Sequence, residues 1–147
     1  DGDKQFRAYD MNEVARYYTA SEDVAEFLAH YPERHDFREE AGGNRVFINV
    51  WCWEPAWKIR VTENGRELPV RREQTEDPLY VISYDIPQSV WKGKYPVDYG
   101  KRGKQHTLFT VDASGPATTL EIEVTDSFGK VYRETMVRPK AFGPQMK

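Results

Sequence analysis

Residues 46–53 read VFINVWCW, and the alternation in this stretch decides the fold. Aliphatic side chains and the cysteine occupy the even positions, and aromatic rings or an amide occupy the odd ones: Val46, Ile48, Val50 and Cys52 against Phe47, Asn49, Trp51 and Trp53. Side chains alternate between the two faces of a β-strand, so the first set is predicted to face a core. Cys52 is therefore predicted to be a buried, unreactive thiol.

The same period of two returns along most of the chain. Segments with a strand pattern cover residues 5–11, 46–53, 57–62, 66–70, 79–86, 107–111, 120–125 and 131–137. Asn64-Gly65 favours a type I′ hairpin turn, and residues 126–130 carry a second turn signal. About seven short strands separated by turns predict an all-β fold, an immunoglobulin-like antiparallel β-sandwich. Residues 87–106, rich in Gly, Pro, Lys and Tyr, favour no element.

A period of 3.6 residues predicts a small helical segment after the first strand. Asn12 is expected to cap a first turn, and Thr19-Ala20-Ser21-Glu22 has the form of a capping box. One helical face is apolar and ends before Pro32: Val24, Phe27, Leu28 and Tyr31. Residues 33–45 are charged and are predicted to be a loop. Residues 1–45 are thus expected to form a strand, helical cap and loop, and residues 46–147 the sandwich, within one compact domain.

The composition describes one domain with a nearly neutral surface. The chain has 147 residues, of which 39% are apolar and 14% aromatic, and its formal net charge of −3 argues against a nucleic-acid or anionic-membrane binder. The sequence contains no run of about 18 apolar residues, so no membrane-spanning segment is predicted. The single cysteine cannot form an intramolecular disulfide. The chain opens with Asp1 rather than Met, so it is interpreted as a piece of a longer protein or a mature product.

Histidine, cysteine and carboxylate side chains do not form a recognised catalytic or metal-binding pattern in the sequence. His30 and His35 do not share a helical face, because Pro32 lies between them, and His106 is remote from both. The motifs H-E-x-x-H, C-x-x-C and G-x-S-x-G are missing, as are EF-hand and phosphate-binding loops. The chain is therefore predicted to have no catalytic residue, no metal site and no cofactor of its own.

The tryptophans supply the first binding candidate. If the aliphatic face of residues 46–52 is core, Trp51 and Trp53 point to the other side, with Trp57 close by. Exposed rings in this arrangement would form a flat platform for a glycan. The favoured alternative is that the N-terminal helix or a neighbouring domain covers them.

Residues 91–104, WKGKYPVDYGKRGK, supply the second candidate. Basic groups and aromatic rings alternate here: Lys92, Lys94, Lys101, Arg102 and Lys104 with Trp91, Tyr95 and Tyr99. Stacking and positive charge suit a nucleotide or an anionic glycan. The favoured alternative is a lysine-decorated surface loop that protects an edge strand from aggregation.

Three runs of the sequence, residues 47–70, 76–87 and 118–143, resemble the C-terminal domain of bacterial calcineurin-like phosphoesterases, which are common among gut Bacteroidetes. The most specific features are the tryptophan-rich strand, Asp77-Pro78-Leu79, the hairpin at residues 125–129 and residues 138–142. The resemblance implies a β-sandwich appended to a metal-dependent enzyme with a periplasmic or cell-envelope location. The family's metal-binding motifs belong to the catalytic core and are not present here, so no catalytic residue is carried over.

The resemblance implies a non-catalytic accessory domain. Its expected partner is the catalytic phosphoesterase domain of the same parent chain, which it would pack against and whose substrate access it would shape. Two alternatives remain from the residues themselves. One is a carbohydrate-binding module that uses the tryptophans, and the other is a homo-oligomerisation module.

Overall fold

The computed structural model describes residues 4–101 and 105–146, with the backbone alone at Lys101. These residues contain eight strands: β1 (Phe6–Asp10), β2 (Arg45–Val50), β3 (Lys58–Glu63), β4 (Arg66–Leu68), β5 (Arg71–Thr75), β6 (Gln105–Asp112), β7 (Leu120–Thr125) and β8 (Val131–Met136). They form two antiparallel sheets of four strands, ordered β1-β2-β6-β5 and β4-β3-β7-β8. We call these the inner and the outer sheet. The predicted antiparallel β-sandwich is confirmed.

The two sheets enclose the first hydrophobic core. Its buried members come from alternate positions of both sheets: Phe6, Ala8, Val46, Ile48, Val50, Val61, Phe109, Val111, Leu120, Ile122, Val124 and Met136. Val46, Ile48 and Val50 therefore face the core as predicted. The opposite face of the outer sheet is polar, and there Arg60 lies across from Glu123. This is the alternation that antiparallel sheets show when one face meets water.

A helical layer covers the other face of the inner sheet. It contains α1 (Met11–Ala20), α2 (Glu22–His30) and a 3₁₀ turn at Phe37–Glu40. A second core lies between this layer and the sheet: Tyr9, Met11, Val14, Tyr18, Val24, Phe27, Phe37, Phe47, Leu79, Ile82 and Ile86. Consequently every residue of β2 from Val46 to Val50 is buried. The helical layer thus covers the face of β2 that carries Phe47 and Asn49.

The helix caps differ from those predicted. Asp10 caps α1 by accepting a hydrogen bond from the backbone N–H of Asn12 at 3.2 Å. The Asn12 amide instead donates to Asn44 Oδ1 at 2.8 Å, so it fastens α1 to the start of β2. Ser21, rather than Thr19, caps α2, and it accepts from the backbone N–H of Val24. Helix α2 ends at His30.

The prediction of a strand at residues 79–86 is wrong. The chain is helical there, in three consecutive parts: α3 (Pro78–Tyr80), a π-helical turn at Val81–Asp85 and α4 (Ile86–Ser89). Asp77 is the N-cap of this segment and Pro78 occupies its first turn, which is the position where proline favours a helix. The short apolar run fits a buried helix as well as a strand, so its alternation was misleading.

None of the helices in residues 4–101 and 105–146 is long and apolar enough to cross a bilayer.

Strand β5 was not predicted, because its residues Arg71–Thr75 are mostly charged and exposed. It forms an edge of the inner sheet and pairs with β6 alone. Charged side chains are a common protection of edge strands. Hydropathy alternation cannot detect a strand of this kind, since it buries little apolar surface.

Candidate functional site

A cavity of about 470 Å³ opens between the end of β2 and the helical segment that follows Asp77. We call it the Trp51 cavity. Arg7, Trp51, Tyr80 and Tyr84 line it toward solvent, and Asn49 and Asp77 line it toward the protein interior. Small-molecule sites have volumes of roughly 300–1,000 Å³ and combine apolar walls with a few polar groups, as this cavity does.

Asp77 is the centre of a hydrogen-bond network at the floor of the cavity. Its Oδ1 accepts from Tyr9 Oη at 2.7 Å and from the backbone N–H of Leu79 at 2.9 Å. Its Oδ2 accepts from the side-chain amide of Asn49 at 2.6 Å. Asn49 Oδ1 in turn accepts from Thr107 Oγ1 at 2.7 Å. The network therefore joins β1, β2 and β6 to the first turn of α3, and both oxygens of its carboxylate accept hydrogen bonds.

Tyr9 remains protonated in this network. Burial, and then the negative charge and hydrogen bond of Asp77, raise the pKa of its hydroxyl well above the usual value. Arg7 acts in the opposite direction, since its positive charge lowers the pKa of Tyr9 and offsets part of that rise. Tyr9 is thus a hydrogen-bond donor over the accessible pH range.

Aromatic rings form the outer part of the cavity. The guanidinium carbon of Arg7 lies 5.3 Å from the centroid of the Trp51 ring, which is cation–π distance. Tyr80 and Tyr84 stack on each other with centroids 4.8 Å apart and planes inclined by 26°. These two tyrosines are 38% and 52% exposed, so a large apolar surface reaches solvent at this rim.

The helical wall contains a π turn. The backbone N–H of Ile86 bonds to the carbonyl oxygen of Val81, five residues earlier. Turns of this type are rare, and they are frequently found at functional sites. The Ser83 side chain belongs to this wall, and its Oγ is buried without a hydrogen-bond partner in the described part of the chain. An unsatisfied buried hydroxyl is unfavourable, so it calls for an explanation.

Arg34 anchors both ends of this wall from behind. Its Nε donates to Glu76 Oε1 at 2.7 Å and its Nη2 donates to Asp85 Oδ2 at 2.8 Å. Nη1 donates to the carbonyl oxygen of Tyr99 at 2.7 Å. The side chain of Arg34 is 3% exposed, so these are buried, charge-assisted hydrogen bonds. They fix the segment from residue 76 to residue 85, to which Tyr80, Ser83 and Tyr84 belong.

The structure separates the tryptophans that were expected to form a platform. Cys52 has a φ of 57°, the left-handed conformation, and strand β2 ends at Val50. Trp51 therefore lines the cavity on the helical side, whereas Trp53 packs against Phe109 in the core between the sheets, with centroids 5.2 Å apart. The prediction that Trp51 and Trp53 share a face is wrong. Trp57 is half-buried against the same core as Trp53.

Cys52 is exposed, which contradicts the prediction of a buried thiol. The reason is again the backbone. Strand alternation requires extended residues, and a left-handed residue stops the alternation where it occurs. An L-residue seldom adopts this conformation, and nothing in the hydropathy pattern of VFINVWCW reveals it.

The aromatic residues of the second candidate pack onto the helical layer. Trp91 is 66% exposed, and its Nε1 donates to Asp23 Oδ2 at 2.8 Å. Tyr95 stacks on His30 with centroids 3.5 Å apart and donates to Glu26. Tyr99 is buried. Arg102, Lys104 and the side chain of Lys101 lie outside the described residues, so the predicted basic cluster stays a prediction.

Comparison with known protein families shows which family the chain belongs to. A family model described as the C terminal of calcineurin-like phosphoesterase matches residues 1–132. The chain belongs to this family. No curated protein and no solved structure matched the chain. The match confirms the resemblance inferred from the sequence, and it includes β1 to β7 and the whole Trp51 cavity.

One group of side chains in this phosphoesterase C-terminal domain could hold a cation. His35, Glu39 and Glu40 place one ligand atom each within 4.8 Å of one another. Both oxygens of Glu40 already accept from Arg45, at 3.0 and 2.9 Å, and His35 Nε2 lies 3.2 Å from Glu39 Oε1. The existing ion pairs thus account for this arrangement. The sequence pattern did not bring these three residues together, and the prediction that the chain has no metal site stays a prediction.

The residues that line the Trp51 cavity were mostly missed by the sequence analysis. Trp51 was expected in a binding surface, but Arg7, Tyr80, Ser83 and Tyr84 were not. One signal was available, because Asp77-Pro78 is a strong helix start. A helix at this point places residues 80 and 84 on one face, since positions i and i+4 are neighbours on a helix.

Proposed function

We propose that this chain is a non-catalytic accessory domain that docks against the catalytic phosphoesterase domain of the same parent chain, with the rim of the Trp51 cavity toward the catalytic domain. Family membership supports the first part, because the matching model describes the C-terminal part of such enzymes. The aromatic surface that Tyr80 and Tyr84 expose at the rim of the cavity is the observation that carries the second part.

The start of the described chain is fastened to the cavity wall. The backbone N–H of Trp51 donates to the carbonyl oxygen of Gln5 at 3.0 Å, and the Gln5 side-chain amide donates to the carbonyl oxygen of Trp51 at 2.9 Å. These two bonds hold Gln5 against Trp51 in the cavity wall. Tyr80 and Tyr84 lie on the same side of the molecule and expose aromatic surface, which is the composition that interfaces favour.

The polar groups of the cavity support a positioning role rather than catalysis. Both oxygens of the Asp77 carboxylate accept hydrogen bonds that hold the helical wall against the sheet. The three histidines lie elsewhere in the fold and do not line the cavity.

The Bacteroidetes-type resemblance also supports a periplasmic or cell-envelope location, which fractionation of a native host would test.

The first experiment measures catalysis by the purified chain alone. It is incubated with p-nitrophenyl phosphate and bis(p-nitrophenyl) phosphate in the presence of Mg²⁺, Mn²⁺ or Zn²⁺. No turnover above that of buffer and metal is expected. Turnover that copurifies with the chain, and that a chelator removes, would contradict a purely accessory role.

The second experiment measures docking. The parent enzyme truncated before this domain is mixed with the isolated chain, and the complex is followed by analytical ultracentrifugation and by activity. We expect the chain to bind in trans and to change the KM of the truncated enzyme. Tyr84→Ala should weaken this binding, whereas Phe128→Ala, at a 95% exposed aromatic on a distant hairpin, should not. Equal effects of both variants would place the interface elsewhere.

A further inference from the structure

We infer that the Trp51 cavity binds a flat aromatic ring that carries an anionic group. This inference concerns the isolated chain and does not require the docking role. It rests on the positive charge of Arg7 at the cavity and on the aromatic surface around it.

Arg7 supplies the positive charge. It lines the cavity, and no carboxylate in residues 4–101 and 105–146 lies within ion-pair distance of its guanidinium. The Trp51 ring holds the guanidinium by a cation–π contact, which orients the group without neutralising it. A planar guanidinium offers paired N–H donors that match the oxygens of a phosphate or carboxylate. Arg7 is therefore a preorganised anion-binding group.

Aromatic side chains supply the surface for a flat ring. Trp51, Tyr80 and Tyr84 surround the opening, and the two tyrosines remain partly exposed although they stack on each other. Stacking of a planar ring on aromatic side chains stabilises binding with little dependence on the ring's substituents. The volume of about 470 Å³ accommodates one ring with one anionic substituent.

The test is isothermal titration calorimetry of the chain with matched probes. Phenyl phosphate and uridine 5′-monophosphate carry both features. Phenol and uridine lack the phosphate, while glucose 6-phosphate and inorganic phosphate lack the aromatic ring. We expect both complete probes to bind and the loss of either feature to weaken binding about tenfold or more. Binding of uridine 5′-monophosphate alone would identify a nucleotide as the source, and equal binding of both would identify aryl phosphates in general.

Variants assign the binding to the cavity. Arg7→Gln and Tyr84→Ala should each weaken the binding of uridine 5′-monophosphate by about tenfold. Tyr84 is a rim residue, so its truncation should leave the fold intact, which circular dichroism would verify. Matched controls are Arg133→Gln and Phe128→Ala, an exposed arginine and an exposed phenylalanine outside the cavity, and both should bind as the unaltered chain does.

Three results would overturn the inference. The first is failure of both complete probes to bind at millimolar concentration. The second is binding of glucose 6-phosphate or inorganic phosphate as tight as that of the aromatic phosphates. The third is equal weakening by the cavity variants and their controls. Because these measurements use the chain alone, they are independent of whether it docks on a catalytic domain.

Discussion

Tyr9 Oη donates a hydrogen bond of 2.7 Å to Asp77 Oδ1, and 68 positions of sequence separate the two residues. The bond joins the first strand of the inner sheet to the residue that caps α3. Since Asn49 shares the same carboxylate, one side chain decides where the helical wall of the cavity lies against the sheet. The cavity is therefore a product of tertiary hydrogen bonding rather than of any local motif.

Replacing Asp77 with alanine should destabilise the protein by about 3 kcal/mol, because it removes a helix cap and leaves the buried Tyr9 hydroxyl and Asn49 amide without an acceptor. Urea unfolding of the variant gives this value directly. Asp112→Ala removes an exposed carboxylate that pairs with Arg71 and should cost less than about 1 kcal/mol. A similar loss in both variants would show that the network contributes little.

The Tyr9–Asp77 bond should also appear as an interaction energy. Tyr9→Phe, Asp77→Ala and the double variant form a double-mutant cycle, and residues in direct contact couple by about 0.5–3 kcal/mol. We expect the double variant to be more stable than the sum of the single losses predicts, because Tyr9→Phe removes the hydroxyl that Asp77→Ala leaves unsatisfied. Strict additivity would mean that the two groups act independently.

Arg34→Met should destabilise the protein by about 4 kcal/mol, because Glu76 and Asp85 then remain as buried carboxylates without their cation. Arg34→Lys should restore only part of this loss, since an ammonium group cannot donate to Glu76, Asp85 and the Tyr99 carbonyl in the same planar arrangement. Thermal unfolding of both variants checks this order. The matched control is Arg38→Met, because the Arg38 side chain is 44% exposed and pairs with Asp36.

Acid should destabilise the protein partly through Glu63. Burial alone would raise the pKa of this carboxyl, but hydrogen bonds from Thr118 and Ser114 and the charge of Arg138 bring the pKa below its usual value of 4.5. The folded state therefore holds the proton less tightly than the unfolded state. The resulting stabilisation is fully present above pH 4.5 and disappears as the pH falls through the lower folded pKa.

Glu63→Gln should accordingly reduce the loss of unfolding free energy between pH 5 and pH 3, which urea titrations at several pH values measure. Glu67→Gln, at an exposed position on the adjacent strand β4, serves as the control and should keep the slope of the unaltered protein. If both variants show the same slope as the unaltered protein, acid sensitivity originates elsewhere in the fold.

The left-handed backbone at Cys52 should tolerate glycine and resist β-branched residues. Cys52→Val should destabilise the protein by about 1–2 kcal/mol, because a branched side chain clashes with the backbone at positive φ. Cys52→Gly should be neutral within about 1 kcal/mol, since glycine adopts this conformation readily but loses more entropy on folding. Unfolding by urea distinguishes the two. The opposite order would show that Cys52 is extended, as the alternation of residues 46–53 predicted.

Strands were predictable from the sequence where burial follows the two-residue period. Val46, Ile48 and Val50 in β2, and Leu120, Ile122 and Val124 in β7, face the core as expected, because one face of each pattern meets the opposite sheet. Strand β5 was not predictable, since an edge strand of charged residues produces no such pattern. The helix caps were displaced by two residues because Asp10 and Ser21 compete with Asn12 and Thr19 as equally good caps.

The candidate site was only partly predictable. Trp51 drew attention as one of several clustered rings, but its separation from Trp53 depends on the single left-handed residue between them. The partners of Trp51 come from β1 and from the helical segment after Asp77, which are remote in sequence. A hydropathy pattern depends only on residues that are close in sequence. It therefore cannot predict long-range hydrogen bonds such as those of Asp77 and Arg34.

The double burial of β2 has a consequence for how this domain can diverge. A substitution at an even position of the strand must be accommodated by the opposing sheet, and one at an odd position by the overlying helices. Adjacent changes therefore require compensation in two separate layers. The outward face of the outer sheet has no such constraint, so homologues should differ there first. Substitutions in β2 should be rarer and should occur together with changes in the layers that contact it.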